Sequence, residues 1–229
     1  MKLAIMQPYF FPYIGYWQLI NAVDTYVLYD DVAYIKGGWI NRNNFLINGE
    51  KKLFTIKLKQ AGSNRIINEI EILDDFVKFS KMLQTNYSTA PFFKSTMNLI
   101  HEMVSPDKTN LAAFIENSIR IIASYLNIKT NILLSSNIKK NNSLKGKDKV
   151  LHICNLMGAS DYYNAIGGAD LYGKSEFLDN GVSLMFLRTK LTPYKQLKKE
   201  FFPGLSIIDV MMFNSIEEIR GMLDDYELV

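Results

Sequence analysis

The first thirty-one residues, MKLAIMQPYFFPYIGYWQLINAVDTYVLYDD, constrain the fold more than any later stretch. The run KLAIMQ (2–7) is short and apolar and stops at Pro8, as a buried parallel strand does. GYWQLINAV then places Tyr16, Leu19, Ile20 and Val23 at helical spacing. TYVLYDD (25–31) is a second buried strand ending in two carboxylates. A strand, a short helix and a second strand are the unit of a parallel sheet with a right-handed crossover.

The later chain fits such a sheet. NNFLINGEKKLFTIKLK reads as a β-hairpin turning at Asn48-Gly49, and INEIEIL (67–73) adds a strand. From Asp74 to about Leu126 the pattern is helical. An Asp stands at a capping position before VKFSKMLQTNY, and Pro91 suits a first helical turn. Leu111, Phe114, Ile115, Ile119, Ile122 and Leu126 form an amphipathic stripe. The second half alternates strands NILLSS (131–136), YYNAI (162–166) and VSLMFL (182–187) with a helix, GKDKVLHICNLMGA, closed by Gly158. GADLYGKSEFLDNG is irregular to helical, and LSIIDVMMFN and IEEIRGMLDDY close the chain as helices. This alternation predicts one α/β domain over residues 1–229. It should hold a Rossmann-like parallel sheet, an inserted β-hairpin and a helical elaboration at 74–126.

Hydrophobic content of 48% with 21% charge is globular, and 229 residues can bury a full core. A net charge of +3 suits an anionic small-molecule ligand and not a nucleic-acid partner, which calls for a basic face. The single cysteine, Cys154, excludes an internal disulfide and a Cys-rich zinc site, and points to a reducing compartment. Lys2 leads straight into a strand-like run, without a signal-peptide pattern. No stretch approaches the roughly 18 apolar residues of a membrane span. The expectation is a cytoplasmic protein without a membrane span, and a homodimer is compatible with it. No metal site is read. His101 and His152 lie in separate helical patterns as packed or surface histidines.

Four stretches can carry chemistry. Ligands of open parallel sheets sit at the C-terminal ends of strands, where strand order reverses. Gln7, Tyr13, Gly15 and Tyr16 fall just after the first strand, with Gly15 opening a helix toward a nucleotide or phosphate. The other reading is a rigid packed loop. DDVAYIKGGWINRNNF (30–45) gathers Asp30, Asp31, Lys36, Trp39, Asn41, Arg42 and Asn43 after the second strand. Asp30 or Asp31 can take a proton or hold an amine. Lys36 and Arg42 can meet phosphate or carboxylate, and Trp39 can stack on a base or sugar. A solvated hairpin entry is the alternative. Lys145 and Lys147 precede a helix, where basic residues oppose the dipole unless an anion binds or the loop is simply solvated. Gly167-Gly168 ends another strand, as a close ligand approach or a plain turn. Cys154 sits on an apolar helix face as a core residue.

The opening frame of strand, Pro/aromatic loop and Tyr13-Ile14-Gly15-Tyr16 resembles nucleotidylyltransferases of the HIGH superfamily, with tyrosines standing at both histidine positions. Tyrosine titrates near pH 10, so it cannot imitate imidazolium charge. Five stretches in order, MQPYFFPYIGYWQLI, DDVAYIKGGWINRN, LKGKDKVLHIC, NAIGGADLY and FFPGLSIIDVMMFN, resemble the WbqC-like proteins over nearly the whole chain. That resemblance implies an enzyme of O-antigen or other surface-polysaccharide biosynthesis acting on a nucleotide-activated amino sugar. The transferred group would be acyl or aminoacyl. The expected ligand is ATP or a nucleotide-linked sugar. The alternatives are nucleotidyl transfer at a tyrosine-substituted site and a non-catalytic sugar-nucleotide-binding or scaffold protein.

Overall fold

The computed structural model describes residues 1–104, 109–198 and 200–229. The chain forms, in order, β1 (Lys2–Met6), α1 (Ile14–Asn21), β2 (Thr25–Leu28), β3 (Arg42–Ile47), β4 (Glu50–Thr55), β5 (Leu58–Lys59) and β6 (Glu71–Ile72). Three helices follow: α2 (Val77–Tyr87), α3 (Phe93–Met103) and α4 (Leu111–Tyr125). Then come β7 (Asn131–Leu134), α5 (Gly146–Leu156), β8 (Asp161–Ala165), α6 (Lys174–Asp179), β9 (Ser183–Thr189), α7 (Ile207–Phe213), α8 (Ile216–Leu223) and β10 (Tyr226–Leu228).

The central sheet runs β10-β9-β8-β1-β2-β7, parallel except for the antiparallel edge strand β10. From β1 the chain steps outward to β2 and β7, then returns to the other side of β1 to place β8 and β9. The order therefore reverses between β1 and β8. Side chains alternate across the sheet, and so do the cores. Ala4, Tyr26 and Leu28 pack with α1, α4, α7 and α8, whereas Leu3, Ile5 and Val27 pack with α5 and α6. Helices on both faces explain why β1 and β2 read as unbroken apolar runs.

The hairpin forms as the sequence predicts. Asn48 and Gly49 both have positive φ (+55° and +73°), so a two-residue turn pairs Ile47 with Glu50. The helices of 74–126 bury Phe79, Leu83, Ile100, Phe114 and Ile119 in the same core as Phe10 and Phe11 of the opening loop. At the start of α2, Asp74 and Asp75 accept from the amides of Phe76 (3.0 Å) and Val77 (3.1 Å). Several boundaries depart from the periodicity, among them that of β7, which stops at Leu134 where Ser135–Asn137 turns into a 3₁₀ helix. Residues 67–73 divide into a 3₁₀ turn and the two-residue β6: Asn110 Nδ2 and the Leu111 amide donate to the carbonyls of Asn68 and Ile70, and the Asn68 amide donates to the Asp30 carbonyl. β2 stops at Leu28, two residues before the acidic pair. α8 ends at Leu223, and Tyr226–Leu228 pairs with β9 as a strand too short to show a period.

A buried carboxylate ties the segment between β9 and α7 to the helices. Asp209 accepts hydrogen bonds from Tyr87 (2.9 Å), Tyr194 (2.5 Å) and Gln196 (3.0 Å). Burial pushes its acid up to about 6, only partly offset by those three donors. A folded-state value above the unfolded ~3.9 means that the native state binds this proton more tightly. The stability it contributes is present below about pH 4 and is lost as pH rises through about 6. Wild type measured against Asp209→Asn should therefore lose on the order of 3 kcal/mol between pH 4 and pH 7. Parallel urea titrations at both pH values check this, and a constant difference would refute it.

Candidate functional site

The C-terminal ends of β1 and β8, where strand order reverses, open into a cleft of ≈ 470 Å³. Its walls come from four places. Ile5, Met6 and Gln7 finish β1, and Tyr9, Tyr13, Gly15, Tyr16 and Leu19 belong to the opening loop and α1. Tyr29, Ile35 and Trp39 follow β2, and Asn164 to Gly168 with Leu171 and Tyr172 follow β8. A parallel sheet places such a crevice at its switch point because the two flanking loops diverge to opposite faces.

The opening loop is fixed as a rigid wall. Phe11 has a φ of +42° and is fully buried. Its carbonyl accepts from Asn43 Nδ2 (2.7 Å) and Ser206 Oγ (2.8 Å). Phe10 stacks on Phe114 and Phe11 on Phe79, while Phe11 meets Phe114 edge-on and Phe10 meets Phe79 at a tilt. Trp17 Nε1 donates to the Pro12 carbonyl (3.1 Å), and the amide of Ile207 donates to the same oxygen (3.0 Å). With the phenylalanines turned inward, the tyrosines of the loop face the cleft.

Gln7, Tyr13, Gly15, Tyr16, Trp39, Gly167 and Gly168 are thus brought together at one cleft. Their uses differ. Tyr16 is buried and donates to the Gln7 carbonyl (2.9 Å). Gly15 is closely covered, since a Cβ there would meet Thr189 and the Tyr13 ring. The glycine serves packing between α1 and β9 as well as the cleft wall. Trp39 is 43% exposed at the rim, and its carbonyl accepts from the amide of Phe10 (3.0 Å).

The other sequence candidates do not line the cleft, and Asn41, Arg42 and Asn43 among them hold the loops that do. Arg42 donates through Nε to Gly38 O (2.9 Å) and through Nη2 to Gly37 O, pinning the loop that carries Trp39. Asn41 donates to Ile56 O (2.9 Å) and accepts from Tyr34 (2.8 Å). Asn43 donates to the carbonyls of Phe10 and Phe11. Asp30 is buried and accepts from Asn68 Nδ2 (3.1 Å) and the amide of Ser136 (2.9 Å). Lys36 and Lys145 are exposed, and Lys147 pairs with Glu176 at 2.6 Å.

Asp31 sits in a charged cluster beside the cleft. Lys140 Nζ lies 2.7 Å from its carboxylate and Lys149 Nζ 3.3 Å, with the two lysine side chains only 1% and 7% exposed. Lys149 also lies over the ring of Tyr29, 5.3 Å from its centroid. Burial works against ionising Asp31, but the Lys140 hydrogen bond and both lysine charges outweigh it and hold the acid below its ordinary value.

None of the described residues lining the cleft is charged. Burial raises the hydroxyls of Tyr9, Tyr16, Tyr29 and Tyr172 above their ordinary value, so they stay neutral at physiological pH and act as hydrogen-bonding groups. Among the described residues no three His, Cys, Asp or Glu side chains gather as metal ligands, and no helix is long and apolar enough to cross a membrane. Cys154 is fully buried, its thiol pushed up to about 12, which is a core residue's environment.

Sequence reasoning missed Tyr9, Tyr29, Asn164 and Tyr172 in the cleft, and Lys140 in the cluster. The signal for Tyr29 and Asn164 was their place at strand ends, but which strands are neighbours is set by a crossover that periodicity does not reveal.

Residues 7–221 match the WbqC-like protein family. The chain is 28% identical over 221 residues to "Uncharacterized protein Rv1507c" of Mycobacterium tuberculosis, with 93% of each chain covered. No solved structure matches the chain.

Proposed function

Because this chain belongs to the WbqC-like protein family, we propose that it is a cytoplasmic enzyme of surface-polysaccharide biosynthesis that binds a nucleotide-activated amino sugar and transfers an acyl or aminoacyl group to it. The observation that carries this reading is the aromatic cleft at the strand-order reversal between β1 and β8. Flat rings stack on tyrosine and tryptophan faces, and such crevices are where open α/β sheets hold nucleotide-derived ligands. Lys36 and Lys145 are exposed cations from loops after the strands, suited to a diphosphate that extends toward solvent, while Lys147, in the first turn of α5, would have to leave Glu176 to join them. On this reading the acceptor for a substrate amine is Asp31, held ionised between Lys140 and Lys149 behind the wall formed by Tyr29, with its Oδ1 buried and unpartnered.

Calorimetry of the wild type with UDP- and dTDP-linked amino sugars tests the binding half. Micromolar affinity is expected, and an absence of heat with every sugar nucleotide and free nucleotide defeats the reading. A second reading, a non-catalytic sugar-nucleotide-binding protein, is favoured by the lack of charge along the cleft. Turnover of an amino-sugar donor with ATP and an amino acid, or with an acyl-CoA, separates the two. Pyrophosphate release from a nucleoside triphosphate and a sugar phosphate would identify nucleotidyl transfer instead.

A further inference from the structure

Asn164 has a side chain that the fold holds but does not fully use. It is 5% exposed, near the end of β8 and beside the switch point. Its Oδ1 accepts from the amide of Ala165 (2.8 Å), which settles which way round the side-chain amide lies. Its Nδ2 donates to no described residue, and the side chain lines the cleft. The residue is buried but Nδ2 itself opens into the cleft, where it is free to donate to whatever enters.

Gly168 makes a second, independent statement. It lies outside the left-handed region, so its backbone does not require glycine. A Cβ there would stand 2.6 Å from Asn164 Nδ2. The glycine is therefore a space left over the amide, and any side chain would cover the donor. Gln7 brings a second side-chain amide to the same cleft just after β1, and its backbone carbonyl accepts from the Tyr16 hydroxyl.

We propose that Asn164 Nδ2, uncovered by Gly168, is the specificity-determining donor of the cleft. It hydrogen-bonds an uncharged oxygen, a hydroxyl or acylamido carbonyl, on a carbohydrate ring stacked among the tyrosines. This rests on the sugar-nucleotide reading and deepens it by stating which part of the ligand enters. The exclusion of charge follows from the lining. A phosphate at Asn164 would be desolvated without a cation beside it, and an ammonium would face a donor with a donor. The ring enters the cleft, and the diphosphate lies outside it.

The test uses the full chain and a panel of probes: UDP, UDP-glucose, UDP-N-acetylglucosamine, and free glucose and N-acetylglucosamine at millimolar concentration. UDP-sugars are followed by calorimetry and free sugars by saturation-transfer NMR. Asn164→Ala should weaken at least one UDP-sugar about 5- to 10-fold, one hydrogen bond's worth, while leaving UDP unchanged. Asn164→Asp, which keeps shape and the Ala165 contact, should weaken the same sugar at least as much and so guards against a folding defect. Gly168→Ala should reproduce the loss by covering the amide. Equal losses for UDP and UDP-sugar, or no loss in any variant, overturn the proposal. If no nucleotide binds wild type but a free sugar does so in an Asn164-dependent way, the nucleotide reading fails and the assignment of Asn164 stands. If no saccharide of the panel, free or linked, binds wild type, the assignment itself is refuted.

Discussion

Asp31→Ala is expected to destabilise the protein by about 3–5 kcal/mol. The wild-type residue faces two ammonium groups, at 2.7 and 3.3 Å, on lysine side chains that are almost entirely buried. Lys140 also donates to the carbonyls of Ser135 and Ile138, and Lys149 to that of Asp31 itself. Removing the carboxylate leaves two buried charges with carbonyl dipoles as their remaining partners. Breaking such a cluster costs far more than a surface pair, whose worth is about 0–1 kcal/mol. The exposed pair Lys52–Glu50, at 2.9 Å, supplies the internal control, and Glu50→Ala should change stability by less than about 1 kcal/mol. Urea unfolding of the two variants compares them directly. A loss below 1 kcal/mol for Asp31→Ala would mean that the two lysines are already hydrated in the native protein.

The second large effect concerns the opening loop. Phe11→Ala should cost about 3–5 kcal/mol, because a fully buried ring is lost from a box it shares with Phe10, Phe79 and Phe114. The left-handed φ at this position adds a second reason. Phenylalanine is held there only because Asn43 and Ser206 grip its carbonyl and the ring fills the box. Without the ring, the backbone has little reason to keep that conformation, and Tyr9 and Tyr13 lose their aim into the cleft. Ligand binding should weaken at temperatures well below the unfolding transition. A thermal melt and a binding isotherm at 15 °C check both statements, and a melt lowered without any loss of affinity would separate the loop's packing from the site.

How much of this was legible beforehand depends on the range of the interactions. The β1-α1-β2 unit, the Asn48-Gly49 turn and the α4 stripe announce themselves because their causes lie within a few residues of sequence. The position of the cleft was legible too: Gln7, Tyr13, Gly15, Tyr16, Trp39, Gly167 and Gly168 were all singled out and all line it. What the sequence concealed was the division of labour. Asn41, Arg42 and Asn43 look like ligand-binding residues, yet Asn41 and Asn43 are satisfied by backbone carbonyls from segments met only in three dimensions, and Arg42 folds back on the carbonyls of its own loop. Asp30 looks like a twin of Asp31, yet one bonds Asn68 and Ser136 while the other carries two lysines. Asn164 stood in the quoted stretch NAIGGADLY without a role of its own, because its importance comes from a neighbour, Gly168, and from a strand order that local propensity does not encode.

The central claim is that the uncharged crevice between the ends of β1 and β8 receives the sugar part of a nucleotide sugar. A crystal of the wild-type protein soaked with UDP-N-acetylglucosamine tests it most directly. The account predicts a pyranose ring against the tyrosines with an oxygen within hydrogen-bonding distance of Asn164 Nδ2, and the diphosphate outside the crevice. A ligand seated instead in the smaller cavity beside α8, against Asn21, Arg220 and Asp224, or with its diphosphate at Asn164, would contradict it.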